Sequence, residues 1–492
     1  MASASSPLAV AAALWAIQEG GTAIDAAIAC DAVLGVVQPL WTGIGGDLFC
    51  LIDDGRELGA YNGSGASPAG LTFERAAAAR AADPIPPELT GFVEGLPDKS
   101  PLAVTVPGAV DGWSALQERY GRLGLKRCLL PALTLAERGF PVGTLTAGAW
   151  RGAADRLGPD APLPASVHAG ERVTNPLLSE SLQAIASGGR PAHYEGTWAQ
   201  EAVTVLSAAG GVMTTDDLAS HRGEWVTPIS RSYRGVEVVQ HPPNGQGAAV
   251  LAALAERDRE QAGQPEDPDT VAATMRAVVD GMRLAHRYVC DPRSSEVADF
   301  WTGRDTVYMA IVADGMAVSL ISSVFYLFGS GLFAGGAPLQ NRGVGFSLEP
   351  DHPNAAGPRK RPFHTIIPAL LRRDERVWAA LGVVGGPMQP QGQVQVISHL
   401  VDHARDAQAA LDAPRARWLG RDLVGLEPGF APEVAEALRA AGFSVLRRPL
   451  AADEAGAGQI VRIHPDGWLE GGADRRRDGV AFGTCPGPQP GY

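Results

Sequence analysis

Thr306 stands where a hydroxyl could become a nucleophile without a histidine to activate it. It opens the apolar run Val307-Tyr308-Met309-Ala310-Ile311-Val312, which Asp314-Gly315 closes as a turn. If the bond before a threonine in this context is cut, the new α-amine lies beside its own hydroxyl. An α-amine titrates at roughly pH 7.7–8.0. It can therefore take the hydroxyl proton and free the oxygen to attack a carbonyl. Threonine is common at the start of strands, so the assignment has to come from what surrounds this one.

The surroundings are a series of short blocks. Near the start come Ser6-Pro7-Leu8-Ala9, then Gly20-Gly21-Thr22-Ala23-Ile24-Asp25-Ala26-Ala27 and Gly43-Ile44-Gly45-Gly46-Asp47. Val106-Pro107-Gly108-Ala109-Val110-Asp111-Gly112-Trp113, Pro131 to Glu137, Gly210 to Leu218 and Tyr233-Arg234-Gly235 follow. After Thr306 stand Phe328-Gly329-Ser330-Gly331, Lys360-Arg361-Pro362 and Gly385-Gly386-Pro387-Met388-Gln389-Pro390-Gln391-Gly392. In this order the blocks resemble the γ-glutamyltransferase superfamily of N-terminal-nucleophile hydrolases along nearly the whole chain.

The resemblance implies an α+β fold, the four-layer αββα sandwich. It implies self-cleavage before Thr306 into a large piece (1–305) and a small piece (306–492) that stay together as one intertwined catalytic domain. The pieces would form a heterodimer able to dimerise further. Ser323 falls where relatives carry a second hydroxyl that bonds to the nucleophile. Gly385 and Gly386 fall where relatives present two backbone N–H groups to the tetrahedral oxyanion, a place where the chain must approach substrate without a Cβ. His364 and Thr365 match substrate-contacting serines, and Asn341 is a candidate pocket donor. No cofactor and no metal is implied.

Composition agrees and excludes other classes. Of 492 residues 45% are apolar, enough for a sizeable core and too many for a disordered chain. The formal charge of −13 disfavours nucleic-acid and anionic-membrane partners, both of which demand a basic face. A small acyl or amide substrate remains the expected partner. Five scattered cysteines (Cys30, Cys50, Cys128, Cys290, Cys485) form neither a disulfide framework nor a zinc site and read as structural. Ten histidines include no HExxH pair, so metal catalysis is not expected. Gly329-Ser330-Gly331 with Gly335 imitates a dinucleotide loop but lacks the following βαβ unit and acidic residue. Met1-Ala2-Ser3-Ala4-Ser5 carries no positive charge ahead of the apolar stretch, which favours a cytoplasmic enzyme over an exported one. Ala317 to Leu339 is uncharged and long enough to span a bilayer, but its serines and glycines favour two buried strand segments and a glycine loop.

The elements that must position Thr306 can be read coarsely. Residues 7–37 read as two helices broken at Gly20-Gly21, and Leu48–Ile52 as a strand that turns at Asp53-Asp54-Gly55 and returns over Glu57–Tyr61. From about 109 to 290 the pattern is mostly helical, with Arg257–Asp269 the expected mobile stretch. Strand patterns cover Val307–Val312, Ala317–Val324, Ile366–Leu371, Val377–Val384, Phe443–Leu446 and Ile460–His464, with a helix over Gln393–Arg405. Asp47, after its glycine turn, reads as a structural cap rather than an acid.

Departures from the family limit how far its activity carries over. Relatives that cleave γ-glutamyl groups hold the α-carboxylate with an arginine, and the matching segment Asn62 to Pro68 has none. They hold the α-amine with an aspartate, where this chain has Gly345. Glutathione is therefore disfavoured, and Arg342, Lys360 or Arg361 could supply a different anion site. The turn before Asp314 is one residue shorter than usual; aligned without that gap, Asp305 would replace the nucleophile. The expectation is a self-processing amidohydrolase or acylase with an acyl-enzyme resolved by water or an amine. A carbon–carbon bond hydrolase of a secondary-metabolite pathway and an inactive scaffold on the same fold remain the alternatives.

Overall fold

Apolar residues at every position of Val307–Val312 require a strand buried on both faces, and two sheets packed face to face provide that burial. A computed structural model describes residues 1–84, 95–261, 263–293, 306–451 and 454–484. In chain order the strands of the two large sheets are β1 (Ala2–Ala4), β2 (Asp47–Asp53), β3 (Leu58–Asn62), β4 (Glu224–Val226), β5 (Ile229–Tyr233) and β6 (Val236–Gln240). They continue with β7 (Val307–Ala313), β8 (Met316–Ser323), β9 (Ala369–Arg373), β10 (Arg376–Val384), β11 (Ala457–Ile463), β12 (Leu469–Ala473) and β13 (Val480–Phe482). One sheet runs β13-β1-β7-β8-β2-β3-β4 and the other β12-β11-β10-β9-β6-β5, antiparallel throughout.

Side chains alternate across each strand, so successive residues feed different cores. Val307, Met309 and Ile311 of β7 join the core beneath α1 (Pro7–Gln18) and α2 (Ala23–Val37). Tyr308, Ala310 and Val312 point the other way, into the core between the sheets, where Leu370, Ala380 and Val461 meet them. On the far side α3 (Gly247–Arg257), α4 (Pro268–Tyr288) and α5 (Met388–Val401) cover the second sheet through Val250, Met275, Val278 and Ile397. Three apolar interfaces between four layers give the αββα sandwich expected from the sequence.

The helix pair and the β2–β3 hairpin fall where their patterns placed them. Thr22 starts α2 with a reciprocal capping box to Asp25, which is why the helix begins directly after the glycine break. Three differences stand out. β4, β5 and β6 lie inside the region read as mostly helical, because short strands between long helices leave little periodic signal. The polar-looking start of the chain is a strand, β1, held between β7 and β13. The last of these helices starts at Met388 rather than Gln393 and ends at Val401. Pro390 sits in its first turn, where a missing N–H costs nothing. Arg257–Asp269 forms the junction between α3 and α4.

The stretch from Ala317 to Leu339 is β8 plus a glycine loop carrying a short hairpin, Phe333–Ala334 with Ala337–Pro338. Among the described residues no helix is long and apolar enough to cross a membrane. Cys30, Cys50 and Cys128 are free and buried, and Cys290 is buried. Cys485 and the Gly303-Arg304-Asp305 segment lie outside the described residues.

One contact sets the spacing of the sheets near Thr306. The Tyr308 ring lies against Gly382 of β10, and a Cβ added there would stand 2.4 Å from the ring. The Tyr308 hydroxyl meets Ser319 Oγ at 2.8 Å, and that oxygen accepts the Ala369 N–H of the opposite sheet at 3.0 Å. Gly382→Ala should therefore destabilise the protein by about 1–3 kcal/mol. Gly148→Ala, in a helix where a Cβ meets nothing within 4 Å, should be neutral or slightly stabilising. Urea unfolding of the two variants checks this; an unchanged midpoint for Gly382→Ala would contradict the close approach.

Candidate active site

The β7–β8 hairpin fixes the first two groups by register. Ala313 pairs with Met316 across Asp314-Gly315, both at positive φ (49° and 76°), the two-residue turn whose twist suits antiparallel strands. Ser322 pairs with Val307, so one further step sets Ser323 opposite Thr306. Parity puts both on the face toward the second sheet. The Thr306 hydroxyl donates to Ser323 Oγ at 3.4 Å and accepts from Gln389 Nε2 at 3.2 Å. Ser323 Oγ also accepts the Phe325 N–H at 2.8 Å. Gln389 is oriented by its other end, where Oε1 accepts the Ile367 N–H at 3.0 Å. Thr306 is only 2% exposed.

Gly385 and Gly386 lie between the end of β10 and the start of α5, at φ +117° and +57°. Side chains rarely adopt these angles, and at Gly385 a Cβ would crowd Gly456 at 3.1 Å. The amide of Gln246 ties this turn to the neighbouring loop by donating to Gly386 O at 3.1 Å and Thr365 O at 2.6 Å. Neither Gln389 nor Gln246 was singled out from the sequence. The signal was there, since a glutamine among glycines and apolar residues is buried only when its amide has work to do.

Asp47 binds the loops together. Its Oδ1 accepts from Gly65 N–H at 3.1 Å, Gly108 N–H at 3.2 Å and Gln340 Nε2 at 2.9 Å. Its Oδ2 meets His364 Nε2 at 3.0 Å. Burial, and then the Arg342 charge, hold His364 well below its ordinary range, so the ring is neutral and donates to Asp47. His364 is thus a partner of Asp47, with its Nδ1 accepting the Ile366 N–H. Asn341 spends its amide on Asp98 O at 2.7 Å and the Tyr326 N–H at 3.2 Å. Thr365 Oγ1 accepts from Arg342 Nη1 at 2.9 Å.

The absent head-group contacts have a structural counterpart. At Gly345 a Cβ would stand 2.5 Å from the Phe363 carbonyl, so no aspartate fits without moving that loop. Within the Asn62–Pro68 segment Ser64 Oγ donates to Asn62 Oδ1 at 2.7 Å, and Asn62 Nδ2 ties the segment to Asn244 Oδ1 at 2.9 Å. Of the three cations considered for a new anion site, two are committed elsewhere. Lys360 Nζ donates to Pro353 O and Ala355 O, and Arg361 reaches Glu224 and Arg222 O.

Two facing sheets between helical layers, with a hydroxyl residue opening an inner strand, define the class of the N-terminal-nucleophile hydrolases. The chain is an enzyme of the γ-glutamyltranspeptidase family, whose profile matches residues 9–303 and 293–484. A glutathione hydrolase-like proenzyme of Bacillus subtilis is 34% identical over 95% of each chain. An oxamate amidohydrolase proenzyme of Klebsiella pneumoniae is 33% identical over 98% of each. The crystal structure of a cephalosporin acylase from Bacillus halodurans superposes with a TM-score of 0.89 at 35% identity, covering 97% of this chain and 94% of that one.

Burial pushes the Asp47 carboxyl up from 3.8 to about 7, against the opposing pull of Arg342 and of the donors Gln340, Gly65 and Gly108. A carboxyl that holds its proton more tightly when folded contributes its full stability below the ordinary carboxylate range. That contribution is lost as pH rises from about 4 to about 7. Asp47→Asn removes the titration, so the melting temperature of wild type minus that of the variant should be larger at pH 5 than at pH 8. A flat or reversed trend in differential scanning fluorimetry would contradict the buried, proton-holding carboxyl.

Proposed function

We propose that the chain is a self-processing amidohydrolase or acyltransferase in which Thr306 cuts the bond before itself and then serves as the nucleophile. The observation that carries this reading is the Thr306 hydroxyl held between Ser323 and Gln389 at the head of an inner strand. In the first step Oγ1 attacks the carbonyl of residue 305, converting the peptide bond to an ester. Water hydrolyses that ester and leaves the pieces 1–305 and 306–492 as a heterodimer.

In the mature enzyme the Thr306 α-amine takes the hydroxyl proton while Oγ1 attacks the substrate carbonyl. The N–H groups of Gly385 and Gly386 stabilise the oxyanion. Collapse expels the amine, which leaves with the proton held by the α-amine. The ester on Thr306 then passes its acyl group to water, or to a second amine. Ser323 keeps the hydroxyl in line, and Gln389 donates to the same oxygen. His364 acts as a positioning residue through Asp47, and Asn341 does so by bridging Asp98 O and the Tyr326 N–H. Relatives named for oxamate and cephalosporin substrates, together with the filled space at Gly345, support an acyl substrate without an amino-acid head group.

Denaturing mass spectrometry of the purified protein should give two fragments, the smaller beginning at Thr306, and a Thr306→Ala variant should stay whole. A single intact wild-type chain would refute the nucleophile and favour the scaffold alternative. Gln389→Ala, which removes one donor to the reacting oxygen, should slow self-cleavage on the order of 100-fold. A time course of fragment appearance reads that directly, and an unaltered rate would leave Gln389 a purely structural amide.

A further inference from the structure

Phe325 stands two residues beyond β8 and carries φ +81°, the largest positive value of any residue other than glycine among the described residues. A bulky side chain rarely adopts such an angle, and the angle persists only where the surroundings over-determine it. Both neighbours of Phe325 are pinned. Val324 donates its N–H to Trp41 O at 3.0 Å, and its carbonyl accepts the Asn341 N–H at 3.3 Å. The Tyr326 N–H goes to Asn341 Oδ1 at 3.2 Å. The ring is pinned as well. It is 1% exposed and shares a small apolar cluster with Leu71, Leu96, Val344 and Phe346. The guanidinium carbon of Arg342 lies 4.1 Å from its centroid.

The strained residue turns its own amide toward the reaction centre. The Phe325 N–H donates to Ser323 Oγ at 2.8 Å, and the same oxygen accepts the Thr306 hydroxyl at 3.4 Å. A serine oxygen has two lone pairs, and the amide that holds one of them fixes how the oxygen faces Thr306. The separation between the two hydroxyls is longer than the usual O–H···O range of about 2.5–3.0 Å. Aim therefore depends on Ser323 being held still more than on the strength of that bond. If φ of Phe325 relaxed while Tyr326 stayed in place, the peptide plane before Phe325 would turn and take the N–H with it. We propose that Phe325 is a positioning residue. Its buried ring keeps the backbone at positive φ, and its N–H thereby holds Ser323 Oγ as the acceptor that aims the Thr306 hydroxyl. The ring itself touches no reacting atom. This inference rests on Thr306 being the nucleophile.

The test follows self-cleavage, for which the chain is its own substrate. The full-length wild type and its Phe325→Ala, Phe325→Gly, Ser323→Ala and Phe325→Ala/Ser323→Ala variants are made by cell-free synthesis. Mass spectrometry then times the fragment that begins at Thr306, and urea midpoints establish that each chain is folded. Alanine drops the ring but keeps the Cβ, so the backbone relaxes and cleavage should slow by about 100-fold. Glycine drops the ring too, yet it occupies positive φ freely, and it should recover about tenfold of that loss. The double variant should be no slower than Ser323→Ala alone, because Phe325 acts through Ser323. Should alanine not fold, Phe325→Val gives the same comparison with glycine, since a β-branched side chain resists positive φ while filling part of the space. A glycine variant no faster than its partner, or losses at 323 and 325 that multiply, would make Phe325 a packing residue and overturn its role alone. A wild type that never cleaves overturns the nucleophile, and the inference with it.

Discussion

The double burial of β7 is the constraint from which the site follows. A strand covered on one face by α1 and α2 and on the other by the second sheet cannot slip by one residue without exchanging its two sets of side chains. Val307, Met309 and Ile311 fit the helical side, and Tyr308, Ala310 and Val312 fit the gap between sheets. Thr306 inherits the inward direction from this alternation. Ser323 inherits the same direction from β8, and the two-residue turn at Asp314-Gly315 sets the two opposite each other. The Thr306 hydroxyl is aimed by the packing of an entire strand rather than by a local loop.

Around that fixed hydroxyl the loops are held by buried polar groups with many partners. Asp47 gathers three donors on one oxygen and His364 on the other, and so joins segments near residues 65, 108, 340 and 364. Gln246 does similar work between Gly386 and Thr365. Such groups stabilise only while fully satisfied, because an unpaired polar atom in a low-dielectric interior is costly. Arg342 leaves two buried nitrogens, Nε and Nη2, without a partner in this frame. In the same site the space at Gly345 is closed, and the Asn62–Pro68 segment is held by Ser64 on Asn62 and by Asn62 on Asn244.

Much of this was legible in the residues. The apolar run, the turn that closes it and the glycine pair before the Met388 helix locate the two sheets' central hairpins and the candidate nucleophile. The hairpin turn even contains the pairing of Thr306 with Ser323, since a two-residue turn leaves one register. What was not legible was long-range. His364 and Asn341 read as substrate contacts, yet their side chains are engaged by Asp47 and by backbone groups far away in sequence. Strands β4 to β6 were hidden in a region of helical pattern because each is only three to five residues long.

The sequence by itself determined the layered α+β fold, the position of a threonine at the head of a doubly buried strand, and the family to which such a chain belongs. Those properties are carried by local periodicity, turn chemistry and ordered blocks. Only the tertiary structure decided which of Arg342, Lys360 and Arg361 still has an unspent edge, and which polar side chains serve the frame. Hydrogen-bond satisfaction depends on neighbours hundreds of residues apart, and spacing along the chain does not encode it.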